Sequence, residues 1–156
     1  MDFEKVLAVL QALRDRRVDY VLVGAIALTV HGIVRATQDV DLFLRPEKDN
    51  VARLRAALRS VFPEDPAIEE VSVADLAGEY PTIRYCSPDG SLVIDILARL
   101  GDAFSYEDLN FEEKIYEGIP VRVATPKTLY EMKKNTMRLQ DRADAELLKE
   151  QFGLSE

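Results

Sequence analysis

The residues in this 156-residue sequence that are best suited to chemistry are two carboxylates, Asp39 and Asp41, separated by a single valine. Side chains alternate between the faces of a β-strand, so a strand over residues 39–44 would place both carboxylates on one face. The strand rise puts their Cα atoms roughly 6.5–7 Å apart. Mg²⁺ is typically held by one or two carboxylates together with substrate phosphates, and this pair is suited to that role. The other face of the strand is wholly apolar, so we expect the aspartate face to be free for a site.

A third carboxylate, Asp95, lies within an otherwise aliphatic run over residues 93–97. A carboxylate among aliphatic side chains is costly to bury without a partner, and a metal ion or a reacting hydroxyl would supply one. Three acids on neighbouring strands suit a two-metal phosphoryl-transfer site. In such a site, Asp95 would bind the catalytic metal or act as a base on the attacking hydroxyl. The alternative is that the aspartate pair is solvated surface that protects an edge strand from aggregation.

The elements that must position these acids are predicted from hydrophobic periodicity and from turn residues. They indicate an α+β fold, in which helices pack on a small mixed β-sheet. Asp2 and Thr125-Pro126 are typical helix starts, and the turn over residues 87–90 predicts a hairpin that carries Asp95. Predicted helices cover 3–17, 25–31, 47–62 and a last stretch from 125 toward 152, interrupted near Asp141, and predicted strands cover 20–23, 39–44, 80–86, 91–97, 111–116 and 119–123.

Composition limits the classes of function. The chain has 20 Lys and Arg against 28 Asp and Glu, a formal charge of −8, which argues against non-specific binding along a nucleic-acid backbone. That charge does not exclude binding of one nucleotide or one RNA end by a local cluster of basic side chains. A single cysteine, Cys86, and a single histidine, His31, weaken any zinc site or Ser-His-Asp triad, and we expect both to be packing residues. No apolar run approaches the ~20 residues of a membrane span, and the acidic N-terminus is unlike a signal peptide, so we expect a cytoplasmic protein.

Several short motifs surround the aspartate pair. They are Val23-Gly24-Ala25-Ile26-Ala27, then His31-Gly32, then Arg35-Ala36-Thr37-Gln38-Asp39-Val40-Asp41-Leu42. This series resembles the opening motif of the AbiEii/MenT-like nucleotidyltransferases, a group within the DNA polymerase β-like nucleotidyltransferase superfamily. A later series is similar to the helical motif of that group: Thr125-Pro126, Leu129, Lys133, Arg138, Asp141 and Asp144.

The resemblance implies a nucleotidyltransferase (DNA polymerase β-like) fold in one domain over residues 1–156, with a catalytic core over 1–124 and a C-terminal helical segment over 125–153. It also implies that three aspartates are catalytic and hold Mg²⁺, or Mn²⁺ in its place: Asp39, Asp41 and Asp95.

The nucleotide contacts that the resemblance implies are Gly24, Ala25, Arg35, Lys133 and Arg138. Gly24 would let backbone N–H groups approach a phosphate, and Lys133, preferred over Lys134, would neutralise triphosphate charge. Arg35 would bind phosphate or pair with Asp39.

Two further positions of the later motif have alternative interpretations. Arg138 would bind phosphate, or pair with Asp141 or Glu131. Asp141 and Asp144 either belong to the motif or only cap and solvate the last helix.

Two functions are compatible with these features. The first is Mg²⁺-dependent transfer of a nucleoside monophosphate from an NTP to a hydroxyl of an RNA end, a protein or a small molecule. The resemblance implies a toxin–antitoxin system, with a cognate toxin or antitoxin protein as partner. The alternative is a non-catalytic antitoxin or regulatory protein of the same fold that binds a protein partner.

The three intact acids favour the enzyme. The pair Gly24-Ala25, where the family has Gly-Gly or Gly-Ser, favours the alternative because alanine has no hydroxyl for a phosphate oxygen.

Overall fold

The computed structural model describes residues 1–36, 39–77, 82–100, 104–134 and 139–154. Most of the strands form one six-stranded sheet. The strands are β1 (Tyr20–Val23), β2 (Val40–Leu44), β3 (Thr82–Cys86), β4 (Val93–Leu97), β5 (Arg99–Leu100), β6 (Phe104–Ser105), β7 (Phe111–Tyr116) and β8 (Ile119–Ala124). In the main sheet they lie in the order β3-β4-β2-β1-β8-β7, while β5 and β6, which the sequence did not predict, pair with each other.

The sheet is mixed. Strand β2 runs antiparallel to β1 and parallel to β4, and β1 runs parallel to β8. The pair β3–β4 is the predicted hairpin, and the two strands predicted over 111–116 and 119–123 pair with each other as β7 and β8. This arrangement confirms the predicted α+β fold with a small mixed sheet.

Two helices begin where their predicted capping residues place them. Asp2 accepts a hydrogen bond from the amide of Glu4 at 3.0 Å, and Thr125 Oγ1 accepts one from the amide of Thr128 at 3.2 Å, with Pro126 in the first turn. The last helical stretch is two helices, and the second begins at Leu139, close to the interruption expected near Asp141. The helices are α1 (Phe3–Asp15), α2 (Gly24–Val30), α3 (Lys48–Val61), α4 (Val73–Leu76), α5 (Pro126–Lys133) and α6 (Leu139–Phe152), with short 3₁₀ helices at Pro66–Glu70 and Tyr106–Asp108.

Both faces of β2 are covered at its C-terminal end. Val40, Leu42 and Leu44 are buried, as the apolar face predicts. Phe43, which lies on the same face as Asp41, has no exposed surface either. The expectation that the whole aspartate face is free is therefore wrong. Only the beginning of the strand, around Asp39 and Asp41, is left for a site.

The predictions for the single histidine, His31, and the single cysteine, Cys86, have different outcomes. His31 packs at the end of α2, where its Nε2 lies 2.8 Å from the carbonyl oxygen of Ala124 and its ring meets Phe152 edge to face. Cys86 is exposed, so the prediction that it is a core residue is wrong. The reason is that β3 is the last strand on its side of the described sheet, and the alternation places Tyr85, not Cys86, on the buried side.

In the described ranges, no helix has the length and apolarity that crossing a membrane would require. The cytoplasmic location and the division of the chain at residue 124 stay predictions.

Candidate active site

Four side chains lie in one row across four adjacent strands. Val23 of β1 is the register partner of Asp41 of β2, and Asp41 is the partner of Asp95 of β4. Asp95 is in turn the partner of Arg84 of β3. Directly opposed residues point to the same face of a sheet, so the two aspartates and the arginine share a face. Asp39, two residues before Asp41, joins them by strand alternation. The three predicted catalytic acids are therefore neighbours.

The acid cluster is short of positive charge around Asp41. Burial, together with the negative charges of Asp95 and Asp39, raises the pKa of Asp41 from its ordinary 3.8 to about 6. The cations Lys133 and Arg84 act in the opposite direction and only partly offset this rise. A carboxylate whose pKa is raised in this way by neighbouring negative charges is suited to a divalent cation, which would favour its ionised form.

Gly24 is required at its position for two reasons. Its φ angle of +71° lies in the left-handed region that favours glycine. A Cβ atom at Gly24 would also lie 2.0 Å from Oδ2 of Asp41. The backbone at the start of α2 thus approaches the carboxylate more closely than any side chain would allow, and Ala25 follows directly in that helix.

Arg84 is a side chain of the site that the sequence interpretation missed. Its Nε and Nη2 donate to the two oxygens of Asp95 at 2.9 and 3.1 Å, and Nη2 also donates to Asp39 at 3.3 Å. The sequence contained a signal for it, because the turn over 87–90 sets a hairpin register that places Arg84 opposite Asp95.

Lys133, the other cation that acts on Asp41, lies on α5. Its ammonium donates to Asp141 at 3.0 Å and to Asp144 at 3.2 Å, both on α6. Asp144 is buried and also forms an ion pair with Arg35. Arg35 therefore pairs with an aspartate other than the expected Asp39, and Asp141 and Asp144 hold cations as well as belonging to the last helix.

A cavity of about 540 Å³ opens beside this row of side chains. Asp41, Asp95 and Lys133 all contribute to its wall, with Asp39 connected to them through Arg84. Such a juxtaposition argues against the interpretation of the aspartate pair as solvated surface. Apolar side chains line the cavity as well, among them Leu97, Leu100, Leu129 and Met132.

The donor chemistry fits Mg²⁺, because three carboxylates provide the hard oxygen ligands that this ion prefers. In the described part of the chain, however, no three His, Cys, Asp or Glu side chains are already arranged around one point in a way that would hold a metal. Arg84 uses both oxygens of Asp95 and contacts Asp39. A cation would have to replace this guanidinium.

Three positions of the predicted motifs lie outside the described residues: Thr37, Gln38 and Arg138. The nucleotide contact expected from Arg138 stays a prediction, as do those expected from Gly24, Ala25, Arg35 and Lys133.

Comparison of the structure with solved proteins identifies nucleotidyltransferase neighbours. A candidate nucleotidyltransferase from Thermotoga maritima has a TM-score of 0.55 at 16% identity, over 98% of this chain and 96% of that one. ANT(2″)-Ia, solved in complex with adenylyl-2″-tobramycin, has a TM-score of 0.57 at 15% identity, over 97% and 90%. An antigenic nucleotidyltransferase-like protein from Paracoccidioides brasiliensis has a TM-score of 0.57 at 15% identity, over 94% and 75%. These likenesses show a shared fold.

Sequence comparison is consistent with these neighbours. No curated protein matches the sequence. Residues 7–144 match the family model described as "Nucleotidyl transferase AbiEii toxin, Type IV TA system". This match confirms the family predicted from the motifs and the prediction of a nucleotidyltransferase. Since it spans most of the chain, the protein belongs to the AbiEii nucleotidyltransferase toxin family of type IV toxin–antitoxin systems.

Proposed function

We propose that the protein is a Mg²⁺-dependent enzyme that transfers a nucleoside monophosphate from an NTP to a hydroxyl group. The hydroxyl oxygen forms a bond to the α-phosphorus, the bond from that phosphorus to the oxygen bridging to the β-phosphate breaks, and pyrophosphate leaves. The hydroxyl proton passes to a carboxylate of the site. The observation that carries this proposal is the register pairing of Asp41 with Asp95, next to Asp39 and in the same cavity as Lys133.

The acids and the lysine have separate roles in this reaction. Asp39, Asp41 and Asp95 would hold the metal, and bound Mg²⁺ would offset the charge of the triphosphate. Lys133, whose ammonium is oriented by Asp141 and Asp144, supplies positive charge to the phosphates.

The remaining nucleotide contacts are proposed from the family motif. They are the backbone at Gly24 and Ala25 and the side chains of Arg35 and Arg138. Arg35 reaches the site through Asp144, which it shares with Lys133.

The acceptor hydroxyl belongs to an RNA end, a protein or a small molecule. One structural neighbour was solved with an adenylylated aminoglycoside, which supports a small-molecule hydroxyl as one class that the fold accommodates. The family description supports a role as the toxin of a type IV system, with a cognate antitoxin protein as its partner.

The alternative function is a non-catalytic protein of the same fold that binds a protein partner. Arg84 favours it, because the guanidinium already neutralises part of the acidic cluster without a metal. Ala25, which lacks a hydroxyl, favours it as well.

Calorimetry distinguishes the two functions. ATP, GTP, CTP and UTP are titrated with and without Mg²⁺ into the wild type, Asp41→Ala and the control Asp15→Ala, which removes an exposed aspartate at the end of α1. We expect Mg²⁺-dependent binding of at least one NTP by the wild type and the control, and none by Asp41→Ala. Failure of every NTP to bind to the wild type would overturn the proposal in favour of the alternative.

A transfer assay then identifies the acceptor class. Each NTP carries a labelled α-phosphate and is incubated with separate pools of RNA, protein and small metabolites. We expect label in one pool and an equal amount of pyrophosphate, with both lost in Asp41→Ala.

A further inference from the structure

Arg84 occupies the oxygens that a metal ion would need. Its guanidinium donates to both oxygens of Asp95, at 2.9 and 3.1 Å, and to one oxygen of Asp39 at 3.3 Å. In the described part of the chain, Arg84 is the cation that bonds to these two carboxylates. The ammonium of Lys133 bonds to Asp141 and Asp144 instead. Arg84 therefore acts as the counterion of the acidic cluster when no metal is bound.

The side chain of Arg84 can leave this position without rearrangement of the sheet. Its backbone is held in β3 by five register pairs with β4. The side chain itself is 60% exposed, whereas that of Asp95 is 17% exposed. An arginine that is so exposed gains little from its ion pairs, so a divalent cation can replace it at modest cost.

The cavity gives the released guanidinium a second anionic partner. Arg84, Asp41, Asp95 and Lys133 line the same space. A planar guanidinium binds phosphate oxygens with two parallel hydrogen bonds, in the same geometry that it uses here for Asp95. The triphosphate that must enter this cavity, if the proposed function is right, is therefore a suitable ligand for it.

We propose that Arg84 is a further substrate-binding residue, whose guanidinium holds Asp95 and Asp39 until the metal replaces it and then binds a phosphate of the incoming NTP. This inference rests on the proposed function. It makes Arg84 a competitor of the metal in the absence of nucleotide and a ligand of the nucleotide in the presence of metal.

Two binding measurements on Arg84→Gln test this dual role, and a merely structural role would not produce the same result. The first is Mn²⁺ binding without nucleotide, measured from the loss of the free-ion electron paramagnetic resonance signal. The second is binding of the α,β-methylene analogues of ATP, GTP, CTP and UTP at saturating Mg²⁺, measured by calorimetry. We expect Mn²⁺ to bind about tenfold more tightly to Arg84→Gln than to the wild type, because the competing guanidinium is gone, and the analogue to bind about tenfold more weakly, because a phosphate ligand is lost.

Two further variants complete the experiment. Arg59→Gln is the matched control, because it removes the same charge from an exposed ion pair with Glu69, and both affinities should stay at the wild-type value. Arg84→Lys retains the charge but not the two-nitrogen contact, and its two affinities should lie between those of the wild type and Arg84→Gln. Circular dichroism of each variant establishes that it is folded, and Arg84→Lys serves as the test if Arg84→Gln is not.

The other outcomes are distinguishable. Weaker binding of both Mn²⁺ and the analogue would mean that Arg84 only positions Asp95, and it would overturn the inference while leaving the proposed function intact. Unchanged affinities, or tighter Mn²⁺ binding without loss of analogue affinity, would also overturn it. If the wild type binds neither Mn²⁺ nor any of the four analogues, the inference and the proposed function are overturned together.

Discussion

At the scale of single residues, the environment of Asp41 suits a metal ligand but destabilises the folded protein when no metal is bound. Its carboxylate is half-buried beside two others, and its pKa is raised to about 6. A group whose pKa is higher in the folded than in the unfolded state retains its proton on folding, and the stability that this provides is lost as the pH rises through the folded value. Without metal, the ionised Asp41 should therefore destabilise the protein at neutral pH.

Replacement of Asp41 by Asn should remove this cost. We expect Asp41→Asn to be more stable than the wild type by about 1–3 kcal/mol at pH 8 in EDTA. The difference should be clearly smaller at pH 4.5, where folded Asp41 retains its proton, and it should disappear only below the ordinary carboxyl pKa of 3.8, where the unfolded chain is protonated as well. Urea denaturation at the two pH values measures it, with Asp15→Asn as the exposed control. A gain that is equal at both pH values would contradict the assignment of the effect to ionisation.

Gly24 gives a prediction that separates backbone strain from a steric clash. Both Gly24 and Gly118 have positive φ angles, +71° and +82°, but a Cβ at Gly118 would meet nothing within 4 Å. Gly118→Ala should therefore cost only the strain of the left-handed conformation, about 1–2 kcal/mol. Gly24→Ala should cost clearly more, because its Cβ would lie 2.0 Å from Oδ2 of Asp41.

A double-mutant cycle tests the source of the extra cost. In an Asp41→Ala background the Oδ2 and Cγ atoms are absent and only the Cβ of residue 41 stays close, at 3.0 Å, so Gly24→Ala should lose clearly less stability than it does in the wild type. Denaturant unfolding of the four proteins of the cycle measures this coupling. An undiminished cost of Gly24→Ala in that background would show that the clash with the carboxylate is not its cause.

The site could be predicted from the sequence where a local pattern determines it. The alternation that unites Asp39 and Asp41, and the aliphatic neighbours of Asp95, are local, and the structure places these three acids together. The ion pair of Arg35 joins it to a residue 109 positions away, Asp144, and no local pattern specifies such a contact. Arg84 falls between these cases, since only the hairpin register relates it to Asp95.

At the scale of elements, Asp144 is the junction that holds the last helix to the site. Its side chain is 2% exposed. It accepts from Lys133 on α5 and from Gln140 within α6, and it pairs with Arg35 in the segment after α2. One carboxylate thus joins three parts of the chain, and it also determines where the ammonium of Lys133 lies.

Removal of that junction should be costly. A buried ion pair that loses one partner leaves the other charge uncompensated, so we expect Asp144→Ala to lose about 3–5 kcal/mol of stability. Glu69→Ala, which breaks the exposed pair with Arg59, should lose less than about 1 kcal/mol. Urea denaturation at pH 7 compares them. Similar losses in the two variants would mean that Asp144 is a peripheral residue of α6 and not a junction.

The elements themselves could be predicted well where caps and turns mark them. Asp2, Thr125-Pro126 and the turn over 87–90 lie where helices and a hairpin begin or reverse. Strands β5 and β6 have two residues each, too few for any alternation to be visible. The aspartate face of β2 was expected to be free because a strand pattern does not reveal which elements cover it, and burial of Phe43 depends on the tertiary packing.

At the scale of the whole molecule, the charge distribution bears on the acceptor. The formal charge is −8. Basic side chains do cluster near the start of β1, at the end opposite to the site, but carboxylates offset them there. Asp19 alone forms ion pairs with Arg45, Arg53 and Arg122. Such a surface offers little to an extended polyanion, so we favour a protein or small-molecule acceptor over an RNA that is held along its backbone.

The salt dependence of the transfer reaction tests this preference. A polynucleotide that makes six to ten phosphate contacts would lose about 10³–10⁵ in affinity between 50 and 200 mM salt, because each contact releases counterions. An acceptor held only beside the bound NTP makes few such contacts, and we expect the apparent affinity for it to fall by less than about tenfold over that range. The measurement is the acceptor concentration at half-maximal label transfer, at saturating NTP and Mg²⁺ and at several salt concentrations. The matched control is binding of the nucleotide analogue over the same range, whose own loss of affinity is subtracted. A steep loss for the acceptor alone would mean that the basic side chains near Asp19, despite their ion pairs, engage an RNA.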